Sequence, residues 1–138
     1  MKPEYLGIAI VALFWGGYPL ITRSVGIGGP LGALLLSVVS LSTIAAATLW
    51  TGVETWPAPG DVARLAIAGL MMGIGLLAFN AVAASRTVEA SVSIPIMDTA
   101  MLVVSVVGAV LFFADTITAR KALGLALLVA GIAVLRPE

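Results

Sequence analysis

Long apolar stretches alternate with short polar connections along almost the whole chain. A helix needs about 20 apolar residues to cross the hydrocarbon core of a bilayer, which is about 30 Å thick. Five stretches meet this length: residues 5–22, 31–51, 62–83, 91–113 and 118–135. The pattern therefore predicts an all-α integral membrane protein with a single domain, residues 1–138, of five transmembrane helices. An odd number of spans places the two chain ends on opposite sides of the membrane, as in one half of a transporter built from two inverted units.

Composition agrees with a lipid environment. The chain is 61% hydrophobic and 10% charged, with a mean hydropathy of +1.17, whereas about a quarter of the residues in a soluble domain are charged. Seven Lys and Arg balance seven Asp and Glu, and there is no basic run to follow a phosphate backbone, so we expect no nucleic-acid partner. Cysteine and histidine are absent from the sequence, which excludes disulfides, thiol chemistry and histidine-based acid–base catalysis. The sequence also has no phosphate-binding loop, nucleophile elbow or metal-ligand cluster, so we expect neither an enzyme nor a bound cofactor or metal.

The distribution of basic residues hardly favours one orientation of the chain in the membrane over the other. In short loops, Lys and Arg favour the cytoplasmic side of the membrane. Side A, which holds the N-terminus, has Lys2, Arg64, Arg120 and Lys121, and side B has Arg23, Arg86 and Arg136. The aromatic residues at span ends fall on side A: Tyr5, Trp50, Trp56, Phe112 and Phe113. Two interpretations stay open: either subtler signals set one orientation, or the chain inserts both ways and inverted copies pair as an antiparallel homodimer.

Proline and glycine mark two segments inside the spans. Gly16 and Gly17 precede Pro19 in the first span, and Pro95 lies early in the fourth. Proline removes one backbone hydrogen bond of a helix and bends it. Irregular backbone at membrane depth needs cover from protein or from a wet cavity. We therefore expect these four residues to form kinks that face the protein interior, either as packing features or as part of a cavity wall.

Asp98 lies about two turns inside the fourth span, which is otherwise uncharged. An ionisable group in the bilayer is costly and is by default a functional hypothesis. Tyr18, Arg23 and Asn80 share its half of the membrane, and Trp15 lies about one turn before Tyr18. We predict that these five residues form a substrate or coupling site. The alternatives are that Asp98 only ties helices together, and that Arg23 extends to the lipid headgroups instead of pairing with it.

Small residues in the fifth span favour close helix contacts. Lipid gives helices no hydrophobic drive to associate, so close approach depends on residues such as Gly and Ala. Gly124 and Gly131 lie two turns apart, and Ala126 and Ala130 form a second small pair. We predict that these four residues contribute to a dimer interface.

Several short motifs together resemble a known repeat. They are Trp15-Gly16 in the first span, Arg23 at its end, Ser93-Ile94-Pro95 in the fourth span, Asp115 after it, and the closing pattern Gly124-x-x-Leu127-Leu128-x-x-Gly131. Over nearly its full length the chain resembles a single EamA-type repeat of the drug/metabolite transporter superfamily. The resemblance implies a short, unfused five-helix member, whereas most members fuse two inverted repeats into ten helices. The usual Arg of the second helix is absent, and so is the Glu that drives exchange in the related four-helix small multidrug resistance proteins, which work as antiparallel dimers.

The resemblance and the polar residues support one functional hypothesis. The chain would be a secondary transporter of small metabolites or drugs, working as an antiparallel, dual-topology homodimer in the inner or plasma membrane of the cell. Asp98 would couple transport to protons. The partners would be the lipid bilayer, a second copy of the chain and the small-molecule substrate. The alternative is a membrane assembly or accessory subunit that does not transport by itself, or one half of a heteromeric carrier.

Overall fold

Five helices form the structure, a computed structural model that describes residues 3–53 and 55–135. They are α1 (Pro3–Val25), α2 (Gly29–Thr51), α3 (Pro59–Ala84), α4 (Ala90–Phe113) and α5 (Ala119–Val134). The described ranges contain no strand. The predicted all-α fold is confirmed, and each helix begins and ends within three residues of the predicted span. Lys2 and Arg136, which enter the comparison of the two membrane sides, lie outside the described residues.

Four of the helices are long and apolar enough to cross a bilayer. Their apolar segments, in α1 to α4, have 22 to 26 residues and mean hydropathies from 1.6 to 2.3. Helix α5 has 16 residues, which corresponds to about 24 Å and falls short of a hydrocarbon core of about 30 Å. Several long apolar helices indicate a membrane-embedded protein. A fifth crossing of the membrane by α5 stays a prediction.

Local sequence signals explain where the helices begin. Gly28 is the N-cap of α2, and Pro30 follows in the first turn, where its missing N–H removes no helical hydrogen bond. Gly29 has a φ of 65°, in the left-handed region that glycine enters without strain. At α5, Thr118 Oγ1 accepts a hydrogen bond from the backbone N–H of Lys121 at 3.3 Å, which satisfies one of the unpaired N–H groups at the helix start.

The helices group into two compact units. In the first unit α3 packs against both α1 and α2, and in the second α4 packs against α5. Few side chains are buried, and those that are buried are mostly small, such as Ala33 and Ala83 in the first unit. Large apolar side chains are exposed along every helix. This exposure is expected where the surrounding medium is lipid, which is as apolar as the side chains themselves.

Helix α2 carries four hydroxyl groups that are satisfied inside the helix. Ser42, Thr43, Thr48 and Thr51 each donate to the backbone carbonyl four residues earlier, at 2.8 to 3.0 Å. All four side chains are exposed. Because this bond uses the hydroxyl proton within the helix, these residues do not require a partner helix.

Both predicted kink segments lie inside continuous helices. Pro19 belongs to α1 and Pro95 to α4. Pro19 is fully buried, whereas Gly16 is exposed and Gly17 and Pro95 are half-buried. The kinks expected at these four residues stay a prediction. A Cβ at Gly16 or Gly17 would meet no atom within 4 Å. The two glycines therefore soften the helix before Pro19 without making a close contact of their own.

Candidate functional site

The predicted site residues fall in both units. Trp15, Tyr18 and Arg23 lie in α1 and Asn80 lies in α3, all in the first unit. Asp98 lies in α4, in the second unit. The structure thus brings four of the five candidates into one three-helix unit.

Three aromatic rings form a cluster between α1 and α3. The ring centroids of Tyr18 and Phe79 are 5.7 Å apart, with 34° between the ring planes. Trp15 meets Tyr18 edge-on, at 6.5 Å and 85°. Tyr18 and Phe79 are half-buried, whereas Trp15 is 64% exposed. Phe79 is not among the predicted site residues, and its one signal in the sequence is its place next to Asn80.

Asn80 ties α3 to the beginning of α2. Its side chain is 1% exposed, and Nδ2 donates to the carbonyl of Gly29 at 3.3 Å. Its other polar atom, Oδ1, is buried without a hydrogen-bond partner in the described residues. A buried amide oxygen without a donor costs about 1–3 kcal/mol. The side chain therefore positions α2 and retains one unsatisfied buried acceptor.

Two glycines permit this contact between α2 and α3. At Gly32, a Cβ would collide with the carbonyl oxygen of Ile27 and would lie 2.5 Å from Asn80 Nδ2. At Gly28, a Cβ would collide with the Cβ of Ala84. Only glycine allows the backbone of α2 to approach α3 this closely. The signal in the sequence is the glycine-rich connection between α1 and α2, but its spacing does not identify Asn80 as the group it contacts.

Replacing Asn80 tests whether its amide is structural. Asn80→Leu keeps the branched shape and removes both the bond to Gly29 and the unsatisfied oxygen, so we expect a free energy of unfolding within about 1 kcal/mol of the parent. Asn80→Ala leaves a cavity, and we expect a loss of about 2 kcal/mol. Denaturant unfolding in detergent micelles, followed by helix content, measures both values. If Asn80→Leu were less stable than Asn80→Ala, the structural role of the amide would be contradicted. If Asn80→Leu were stable and transported at the parental rate, Asn80 would not belong to the predicted substrate site.

Arg23 lies in the last turn of α1 and is half-buried. A cation at this end of a helix is stabilised by the helix dipole. Its pairing with Asp98 would join residues of different units and stays a prediction.

Asp98 lies on the side of α4 that faces away from α5. Its side chain is exposed, and no hydrogen bond or ion pair reaches its carboxyl within the described part of the α4–α5 unit. An open apolar groove of about 360 Å³ lies between α4 and α5, lined by Ile96, Thr99, Ala100, Val103, Val129 and Ile132. At about 100° per residue, Asp98 points about 150° away from the centre of the α4 side of this groove. Asp98 is therefore an exposed carboxyl group on an apolar helix, on the side that faces away from α5.

Helix α5 also leaves its small residues uncovered. Ala126 and Ala130 are exposed, and a Cβ at Gly124 or Gly131 would meet no atom within 4 Å. There is therefore room for another helix to approach this surface closely. The dimer interface predicted at these four residues stays a prediction.

The described residues offer binding chemistry: aromatic ring faces, a buried amide oxygen and one carboxyl group. No three side chains of His, Cys, Asp or Glu come together in residues 3–53 and 55–135. No protein-family model, curated protein or solved structure matches the chain. A functional assignment therefore depends on these residues and on the motifs that resemble the EamA-type repeat.

Proposed function

We propose that the chain is one half of a secondary transporter for small metabolites or drugs, of the kind found in the drug/metabolite transporter superfamily. The observation that carries the proposal is Asp98, an exposed carboxyl group on the 24-residue apolar helix α4. Within the bilayer, ionisable groups face a bundle interior or a water-filled cavity, where they mark substrate and ion pathways. A second copy of the chain would supply the missing wall of such a cavity.

Exposed aromatic rings support an inverted arrangement of the two copies. Tyr5, Trp50 and Trp56 of the first unit are 60%, 93% and 87% exposed, and alternation of successive spans would place all three on side A. Membrane proteins carry aromatic residues at both membrane interfaces. Two inverted copies would place one set of rings at each interface. The near-even division of Lys and Arg between the two sides favours the same arrangement, because it selects neither orientation.

The residues favour a small, partly apolar cation as the substrate. Trp15, Tyr18 and Phe79 offer ring faces, which attract both apolar groups and cations. Asp98 offers a negative charge to a cation and accepts a proton when the cation is absent. Exchange of one for the other at a single carboxyl group is the coupling that we propose.

Insertion in both orientations can be measured with reporters fused to the C-terminus. We expect the unmodified chain to give signals from both sides of the membrane in one cell population. Thr87→Lys with Glu89→Lys, in the connection between α3 and α4, adds positive charge to side B, so we expect a shift towards a cytoplasmic C-terminus. The matched control, Thr87→Gln with Glu89→Gln, adds no positive charge and should shift the signal less. A single orientation of the unmodified chain would rule out dual topology.

Transport by the purified protein distinguishes a carrier from an accessory subunit. Vesicles that contain this chain alone should accumulate a small lipophilic cation when a pH gradient is imposed. Dimers that form without any transport would favour the heteromeric carrier or the assembly role instead.

A further inference from the structure

Helix α4 carries a line of exposed polar residues on the side that faces away from α5. Ser91, Asp98 and Ser105 are spaced seven residues apart, and all three side chains are exposed. A heptad is close to two helical turns and drifts by only about 20°, so the three side chains lie on one face of the helix. This face points away from the groove between α4 and α5.

Two of these residues are placed symmetrically about the middle of α4. The helix begins at Ala90 and ends at Phe113, so Asp98 lies eight residues from its beginning and Ser105 lies eight residues from its end. Each residue is therefore about 5 Å along the axis from the helix centre. A helix of 24 residues is about 36 Å long, so its centre lies near the midplane of a bilayer core of about 30 Å.

We infer that α4 pairs with α4 of a second, inverted copy, so that Asp98 of each copy meets Ser105 of the other. The inference rests on the antiparallel dimer proposed above. A two-fold axis in the membrane plane reverses α4 about its own centre. It therefore brings Asp98 level with the partner's Ser105, and Ser105 level with the partner's Asp98, in a self-complementary contact.

The chemistry of the two side chains fits this contact. Ser105 Oγ donates to the carbonyl of Met101 in its own helix at 2.8 Å, so its lone pairs are free to accept another hydrogen bond. A protonated Asp98 donates its O–H to that oxygen. An ionised Asp98 instead accepts the hydroxyl proton, which then leaves the Met101 carbonyl. Ala109, on the same face, is small enough to let the two helices approach closely.

The contact is distinct from the interface predicted on α5. Helix α5 packs on the opposite side of α4, so pairing through Asp98 and Ser105 leaves α5 at the outside of the pair. A dimer built on Gly124 and Gly131 would keep Asp98 of one copy apart from Ser105 of the other. The two surfaces therefore make different, testable dimers.

Disulfide cross-linking separates these arrangements, because the chain contains no cysteine. Differently tagged Asp98→Cys and Ser105→Cys chains are expressed together and oxidised in native membranes, and we expect a linked dimer that carries both tags. Either variant expressed alone should link poorly, because like positions are about 10 Å apart along the axis, beyond the reach of a disulfide. The matched control is Ala100→Cys with Val103→Cys. These two residues are also equidistant from the helix centre but face α5, so we expect no linkage between them.

Each of the other outcomes contradicts a different part of the inference. Efficient linkage of Ser105→Cys chains with one another would indicate a parallel pair. Linkage through Gly131→Cys without linkage between positions 98 and 105 would move the interface to α5, while the proposed transporter dimer would stand. Transport is measured in the Ser105→Cys and Gly131→Cys chains, because both keep Asp98. Transport by these chains without linkage at either surface would show that the functional unit does not depend on this pairing, and loss of their transport together with all linkage would reject the proposed function as well.

Dimer equilibria in lipid or detergent give a second measurement that needs no cysteine. Interhelical hydrogen bonds in membranes are modest, and Asp98→Leu or Ser105→Ala removes both symmetric bonds, so we expect about five- to tenfold weaker dimerisation. Asp98→Asn still donates to serine and should change dimerisation less than about twofold. Val104→Ala is the control, because Val104 is 72% exposed on a different side of α4. Parental dimerisation of Asp98→Leu would overturn the inference.

Discussion

Uptake by the Asp98→Asn variant is expected to lose its dependence on pH. In the parent, protons and a cationic substrate compete for one carboxylate, so cation binding falls as the pH is lowered. Asparagine keeps the size and hydrogen bonding of the side chain but does not titrate. A hydrogen bond to a charged group contributes about 1.5–3 kcal/mol, which corresponds to about ten- to a hundredfold in affinity. We therefore expect cation uptake to fall by at least about tenfold and to become flat between acidic and basic pH.

Asp115→Asn provides the matched control for this experiment. Asp115 lies in the connection after α4, and its replacement removes a carboxylate of the same kind outside the apolar helix. We expect this variant to keep the parental rate and pH profile. Helix content and dimer fraction, measured for both variants, show whether folding is intact. A parental pH profile in Asp98→Asn would make Asp98 structural and end the proposal of proton coupling.

Gly32→Ala is expected to cause the largest loss of stability among single methyl additions in the first unit. Gly32 is buried at the beginning of α2, and its new Cβ would collide with the backbone carbonyl of Ile27 and with Asn80. Overpacking of this kind costs about 1–3 kcal/mol, and the rigid carbonyl places Gly32 at the upper end of that range. The larger Gly32→Val should not fold. Unfolding in detergent micelles, followed by tryptophan fluorescence or helix content, measures the loss.

Gly73→Ala is the control, because it adds the same methyl group in the middle of α3. A Cβ at Gly73 meets no atom within 4 Å, and alanine favours a helix over glycine by about 0.5–1 kcal/mol. We therefore expect this variant to be as stable as the parent or more stable. Equal stabilities of Gly32→Ala and Gly73→Ala would contradict the close packing of α2 on α3.

The sequence predicts the helices well because their signals are local. Apolar runs set the lengths, and glycine and proline between them set the ends, as at Gly28 and Pro30. The fifth helix is the exception in length. Its predicted span of residues 118–135 becomes a helix of 16 residues, because Thr118 serves as its N-cap and lies outside the helix, and the helix ends at Val134. The helix is thus one residue shorter at each end than the predicted span.

The site is less predictable, because its residues meet through packing. Hydropathy predicts how deep Asp98 lies in the fourth span, but it does not predict which side of α4 packs against another helix. Only the position of α5 shows that the Asp98 carboxyl group faces away from α5. The sequence predicts Asn80 as a residue of the substrate site. In the structure its amide nitrogen donates a hydrogen bond to the carbonyl of Gly29, which lies 51 positions earlier in the chain. No sequence pattern identifies Phe79 as a site residue, because it joins the aromatic cluster only through its contact with the ring of Tyr18.

The self-bonded hydroxyls of α2 have a consequence for how the protein enters the membrane. Ser42, Thr43, Thr48 and Thr51 can offer their protons to backbone carbonyls only after the segment is helical. In an extended chain the same hydroxyls and carbonyls need water, and each unsatisfied group in lipid costs several kcal/mol. Release of this segment from the insertion machinery into lipid is therefore coupled to helix formation. Once helical, α2 partitions as though these four residues were small apolar ones.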